Sequence, residues 1–473
     1  MVLDGTAAPP LTGRTSAAVD GLIDEQQRIF VDRQPRSRAL HRRAQRVLAG
    51  GVTSNWQITT PQPIFIQRGE GSRIVDVDGN EYVDLHGGYG AGLAGHAHPA
   101  LVEAVSRQVR NGTHFAQPSE DAVVVAELLA ARFGLPKWRF MNSGTEATMD
   151  AVHLMRAVTG RDLIVKVEGC YHGHHDSVQV SVAPDADDDI GPAARPTGVP
   201  ASSGIPAALT DLTLVCSFND LDSLAVLLDT HRGDVAGMIV EPIMMNAGIV
   251  HPLDGYLEGL VDLLHAHGAL LCFDEVKTGL AAGPAGATGI SGVTPDLICL
   301  AKSLGGGLIA GAVGATDELM EHVASGDYEM VGTFNGNPLS MAAARAMLEH
   351  VATDDAYRDL DGLRERIDRE IGSAIAEHRL PAHVVSVGAK GCVTFTPAPV
   401  RNYRDFLAID DRFNHLHWLV QHNGGVFLPP WGKTEQWMIS VQHDREDIDR
   451  FLANFEEFAR QVGASLPGGD GIG

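Results

Sequence analysis

A chain of 473 residues has room for two or three domains, and 44% hydrophobic with 20% charged residues is the balance of an ordinary soluble globular protein. Its formal net charge of −24 argues against nucleic acid or an anionic membrane surface as the main partner. No run approaches the roughly 18 apolar residues of a spanning helix. The opening residues, MVLDGTAAPPLTG, lack the basic start and apolar stretch of a signal peptide. Cys170, Cys216, Cys272, Cys299 and Cys392 show no CxxC spacing, and an odd number suits a reducing compartment, so a cytoplasmic location is expected.

Residues 1–15 are rich in Pro, Gly and Ala and are expected to be disordered. From Thr15 to Ala49 the pattern is helical. IFIQRGEGSRIVDVDGNEYVDL (Ile64 to Leu85) alternates apolar and polar residues, with Asp78-Gly79 at a turn, and predicts a hairpin or meander. Residues 16–109 thus read as the N-terminal segment of a small domain. Between 110 and 350, strand-like runs alternate with helical patterns. The runs are Trp138 to Met141, Leu163 to Val167, Leu212 to Cys216, Val235 to Val240, Ala269 to Phe273 and Leu297 to Leu300. That alternation predicts an α/β large domain with a mainly parallel sheet covered on both faces. Pro184 to Pro206 interrupts it with a long Pro, Gly, Ser and Asp loop, read as a mobile active-site flap or plain disorder. Residues 351–465 read as a C-terminal α+β small domain closing with a helix from Glu446 to Val462, and 466–473 as a flexible tail.

The chemistry concentrates at strand ends. LLCFDEVKTG delivers Asp274 and Glu275; PDLICLAKSLGGG delivers Lys302 ahead of Gly305, Gly306 and Gly307. The chain between them is long enough for the crossover that parallel neighbours require, and the carboxyl ends of such strands line the ligand crevice. An acid and an amine there serve pyridoxal phosphate (PLP) chemistry, or they cap a helix and face solvent. Ser143, Gly144 and Thr145 put two hydroxyls and free amides at a helix N-terminus, which is a phosphate cradle or ordinary capping. In GCYHGHHDS, Tyr171 or His172 could stack on a planar ring; no acidic or cysteine partners complete a metal set, so no metal is expected. VEPIMMNAG offers Glu241 and Asn246. GTFNGNP offers Thr333, a phosphate donor or a turn cap.

In this order RGEGSRIVDVDGNEYVDL, GHAHP, NSGTEA, EGCYHGHHD, VEP, DEV-TG, TPDL-AK-GGG and GTF-GNP resemble the class III (subgroup II) PLP-dependent aminotransferases. Within them the chain is most similar to the glutamate-1-semialdehyde 2,1-aminomutase branch, from about Ala44 to Phe458. The resemblance implies fold type I: a large domain with a mainly parallel seven-stranded sheet, and a small α+β domain built from both ends of the chain. It makes Lys302 the Schiff-base lysine and Asp274 the pyridinium partner. Ser143, Gly144 and Thr145 would hold the phosphate, Tyr171 would stack on the ring, Val276 would pack its other face, and Asn246 would lie near the ring hydroxyl. It also implies a homodimer in which Thr333 reaches the neighbouring subunit's phosphate.

The chain departs from that pattern in places. In GGVTSNWQIT, Gln57 stands where the aminomutases carry an Arg for the substrate carboxylate, and a neutral amide lacks the bidentate charged contact. Lys277 replaces an apolar residue or Gln, and Leu280-Ala281 replaces Phe-Arg. Trp431 stands about where β-amino-acid enzymes can carry an Arg, with Lys433 a nearby donor. Trp56, Tyr89, Phe334 and Trp431 would make an aromatic pocket. These departures favour an aminotransferase, passing an amino group from a small-molecule donor to an oxo acceptor through a pyridoxamine phosphate intermediate. The alternatives are glutamate-1-semialdehyde aminomutase (tetrapyrrole biosynthesis), a PLP racemase or decarboxylase on the same fold, and a non-catalytic binding relative.

Overall fold

The structure, a computed structural model, describes residues 13–186, 188–430, 433 and 436–466. Trp431, residues 1–12 and the 467–473 tail lie outside the described residues. In chain order the strands are β1 (Ile66–Glu70), β2 (Arg73–Asp76), β3 (Glu81–Asp84), β4 (Lys137–Met141), β5 (Leu163–Val167), β6 (Thr213–Cys216), β7 (Val235–Val240), β8 (Leu270–Asp274), β9 (Leu297–Leu300), β10 (Gly311–Ala315), β11 (His383–Val387), β12 (Lys390–Thr394), β13 (Val426–Phe427) and β14 (Trp437–Met438). Contacts divide the chain into two compact units. One holds the described residues up to His98, Arg358–Pro399 and those from Ile409 on; the other holds Pro99–Tyr357 and Val400–Ala408. Among the described residues no helix is long and apolar enough to cross a membrane.

The first unit opens with a helix at Gly13–Asp32, so Gly13 to Thr15 are helical where composition predicts disorder. The alternating stretch forms the antiparallel meander β1-β2-β3, with β13 added parallel to β3. Its turn is held by Asp76, whose carboxylate accepts from the amides of Asp78 (2.9 Å) and Asn80 (2.8 Å). Gly79 there has φ 92°, which favours glycine. A second sheet, β11-β12-β14, brings Trp437 so close to Gly391 that a Cβ on that glycine would overlap the indole. The final helix, Arg445–Ser465, starts at a capping box in which the Asp444 and Asp447 side chains accept from each other's backbone amides.

The second unit is a seven-stranded sheet in the order β4-β10-β9-β8-β7-β5-β6. The pairs β9-β8-β7-β5-β6 are parallel, and β10 runs antiparallel to both its neighbours. Helix Gly144–Thr159 lays Ala147, Ala151, Val152, Leu154 and Met155 into a core with Ile164, Ile239, Leu297 and Val313, all fully buried. Each large side chain buried there contributes about 1.5–3 kcal/mol. The long Pro184 to Pro206 loop is not a free flap. Ser181 N donates to Val199 O (2.7 Å), Thr197 N to Ile190 O (2.9 Å), and Tyr403 Oη to Pro184 O (2.8 Å).

Candidate active site

The carboxyl ends of the parallel strands gather most of the chemistry. Strand β8 ends at Asp274 and β9 runs beside it, Asp274 opposite Cys299, so the turn after β9 presents Lys302 next to the acid. Lys302 has φ 48°, a left-handed conformation uncommon outside glycine that is costly to hold and concentrates at functional sites. Burial pulls its ammonium below the ordinary lysine value, and the carboxylates of Asp274 and Glu241 partly restore it. A larger share of neutral, nucleophilic amine follows.

Asp274 is 4% exposed. One of its oxygens accepts from Val276 N (2.9 Å) and the other is 2.7 Å from His172 Nδ1. Burial leaves the opposite ring nitrogen, His172 Nε2, with no hydrogen-bond partner. The sequence offers His172 as a stacking ring; the structure makes it the side chain that fixes the acid. Glu241 gathers the loop after β7 and the loop after β5, accepting from Tyr171 N (3.0 Å), Met245 N (2.6 Å) and Asn246 Nδ2 (2.7 Å). Asn246 therefore points at Glu241. Lys277 donates to Met245 O (2.7 Å), which ties the turn after β8 to the loop after β7.

After β4 the chain turns at Ser143 into the helix Gly144–Thr159. Ser143 Oγ accepts from Glu146 N (3.2 Å), which is a helix cap, and Thr145 Oγ1 accepts from His174 N (3.1 Å). Both hydroxyls thus tie the turn down, while the helix N-terminus supplies amides and a positive dipole end. At Gly144 an added Cβ would lie 2.9 Å from Val276 Cγ1. Any side chain at 144 would therefore have to displace Val276. An acid for a ring nitrogen, an amine for an aldehyde and a helix N-terminus for a phosphate stand in one unit, so the residues fit PLP.

Thr333 is exposed, in a loop that lines a cleft of about 630 Å³ with His114, Arg139, Phe140 and Asn335. Gln57, Trp56 and Tyr89 belong to the other unit. There Tyr89 Oη donates to Trp56 O (2.6 Å), the two rings stand 5.3 Å apart, and Gln57 Oε1 accepts from Thr53 N (2.9 Å) and Thr53 Oγ1 (2.8 Å). Arg404 escapes sequence reasoning altogether, and Glu168 stands there only as the first residue of EGCYHGHHD. They lie 236 residues apart and meet in a two-pronged ion pair, which no local pattern could have signalled.

This arrangement defines a cofactor-dependent enzyme site on a doubly covered α/β sheet. The model of the aminotransferase class-III family matches residues 55–457, and the chain belongs to that family. It is 38% identical over 435 residues to glutamate-1-semialdehyde 2,1-aminomutase 2 of Bacillus licheniformis, covering 91% of this chain and 99% of the relative. Among solved structures it is similar to a glutamate-1-semialdehyde aminomutase from Pseudomonas aeruginosa PAO1 in complex with PMP (TM-score 0.87, 31% identity, 94% of this chain and 99% of that one). It is also similar to an omega-transaminase from Sphaerobacter thermophilus (TM-score 0.85, 32% identity, 91% and 99%). The fold is that of the fold type I PLP enzymes, and the chain is a PLP-dependent enzyme of class III.

Proposed function

We propose that this enzyme relocates an amino group within a small amino aldehyde, the 2,1-aminomutase reaction for which its relatives are named. The observation that carries this reading is end-to-end likeness to an aminomutase combined with a complete Asp274, Lys302 and Gly144 cluster. It reverses the order of preference suggested by the sequence departures alone. PLP, when bound, supplies an aldehyde that takes up amines and a ring that accepts electron pairs.

The residues divide the work. Lys302 Nζ would anchor the cofactor and, when free, would serve as the base and acid at the two adjacent substrate carbons, removing a proton where the amine departs and delivering one where it arrives. Asp274 keeps the ring nitrogen protonated, and His172 holds that carboxylate in register. The amides of the Ser143, Gly144 and Thr145 turn would hold the phosphate, and Tyr171 and Val276 would pack against the ring. Thr333 acts in trans. The exposure of Val331 (78%) and Phe334 (55%) beside it supports a second copy of this chain covering that loop, in a homodimer.

A second reading has its own support. Gln57 offers no charge to a substrate carboxylate, and its carbonyl is already engaged by Thr53. Transamination between two different molecules would suit that site. Giving the purified holoenzyme glutamate-1-semialdehyde alone separates the two. The aminomutase reading predicts complete isomerisation with no second substrate and no released oxo co-product. A demand for a separate amino donor, with one oxo product released per amine consumed, would establish transamination instead.

A further inference from the structure

We infer that Arg404 is a positioning residue for the cofactor ring, acting from a distant segment through Glu168 on the loop that carries Tyr171 and His172. Residues Val400–Ala408 belong to the unit of the seven-stranded sheet although the chain on either side belongs to the other one. A segment that leaves its own unit for nine residues needs a physical reason. The contacts within the seven-stranded unit supply it.

Glu168 directly follows β5 and is 1% exposed on its side chain. A carboxylate that deep requires a charged partner. Arg404 provides it with two parallel bonds, Nε to Oε2 (2.6 Å) and Nη2 to Oε1 (2.8 Å), and Nη2 also donates to Ile190 O (2.7 Å). The same guanidinium therefore grips both the end of β5 and the long loop after it. Next to it Tyr403 Oη donates to Pro184 O (2.8 Å), and Asn219 Nδ2 donates to Arg401 O (2.9 Å). The Asn402 side chain caps the short helix Tyr403–Leu407, accepting from the amides of Arg404 and Asp405. The segment is itself folded and bonded to the long loop at Pro184 and Ile190.

The path from that segment to the ring is short. Gly169 has φ 82°, and a Cβ on it would overlap the Tyr403 ring, so the segment packs flush on the backbone next to Glu168. Gly169 N donates to Ser181 O (2.9 Å), and Ser181 N in turn donates to Val199 O (2.7 Å). Two residues on, Tyr171 N is held by Glu241, and His172 is bonded to Asp274. A shift at Glu168 therefore reaches both the stacking ring and the partner of the pyridine acid. Small displacements of supporting groups are enough to loosen a bound cofactor.

The test uses the full chain and reads cofactor binding, not turnover, so it stands whichever reaction the enzyme catalyses. Apoprotein of Arg404→Gln is titrated with PLP by absorbance, and backbone hydrogen exchange is followed over residues 169–201. We expect the dissociation constant to rise about tenfold or more, exchange to accelerate across that stretch, and Arg404→Lys to recover part of both. A merely structural ion pair would speed exchange and leave the dissociation constant within about twofold of the parent; that result, or no change in either, overturns the proposal. If Arg404→Gln does not fold because Glu168 is left unpaired, Glu168→Met/Arg404→Met removes both charges and is judged by the same two readouts.

Discussion

Gly144 shows how one missing side chain can decide a site. With Val276 Cγ1 2.9 Å from where a Cβ would sit, and valine stiff about its first torsion, alanine at 144 must displace Val276, the residue proposed to pack against the ring. Gly144→Ala is expected to fold with near-normal stability and to bind PLP about tenfold more weakly. Gly144→Ala/Val276→Ala should recover most of the loss, as measured by absorbance titration. Asp274, Lys302 and Gly144 are legible in the sequence because each sits in a short motif at a strand end. His172 is legible only as a ring of uncertain use, since its bond to Asp274 spans 102 residues. Lys277 stands out in the sequence only as a departure from the family pattern, and its bond to Met245 O joins residues 32 apart, beyond the reach of any local motif.

At the scale of elements, the runs Leu163 to Val167, Val235 to Val240 and Leu297 to Leu300 coincide with β5, β7 and β9, because buried parallel strands read as unbroken apolar stretches. Strand β10, GAVGA, carries no such signal. Glycine and alanine are poor strand formers in isolation, and this strand exists because small residues are demanded by what packs on it. A Cβ at Gly314 would lie 2.6 Å from the Trp138 ring, and one at Gly311 would lie 2.5 Å from Ser143 O. The turn after β8 depends on Glu275 in a similar way. Its carboxylate accepts from Thr278 Oγ1 (2.5 Å), Ala287 N (2.9 Å), Thr288 N (2.6 Å) and Thr288 Oγ1 (2.7 Å). Glu275→Gln places an amide donor against those donors and is expected to cost about 1–3 kcal/mol in urea unfolding. A stability unchanged by that substitution would show that the hydrogen bonds do not organise the turn.

For the whole molecule, the buried histidines set an acid limit. Burial drives His417 and His422 in one unit, and His175 in the other, down to about 3 from an ordinary 6.5. With folded values below the unfolded one, the unfolded chain binds more protons under pH 6.5. Stability is therefore intact above pH 6.5 and falls as pH drops toward 3. At pH 5 each of these histidines costs about 2 kcal/mol, so urea midpoints should decline steeply between pH 7 and pH 5, and a flat profile would mean these rings are hydrated. The chemistry of the whole enzyme depends on which lysine carries the cofactor. Borohydride reduction of the holoenzyme followed by peptide mapping tests this directly. The phosphopyridoxyl label should appear on Lys302 alone, and Lys277→Ala should label as the parent does. Label on Lys277, or labelling that survives Lys302→Ala, would contradict the assignment of this site.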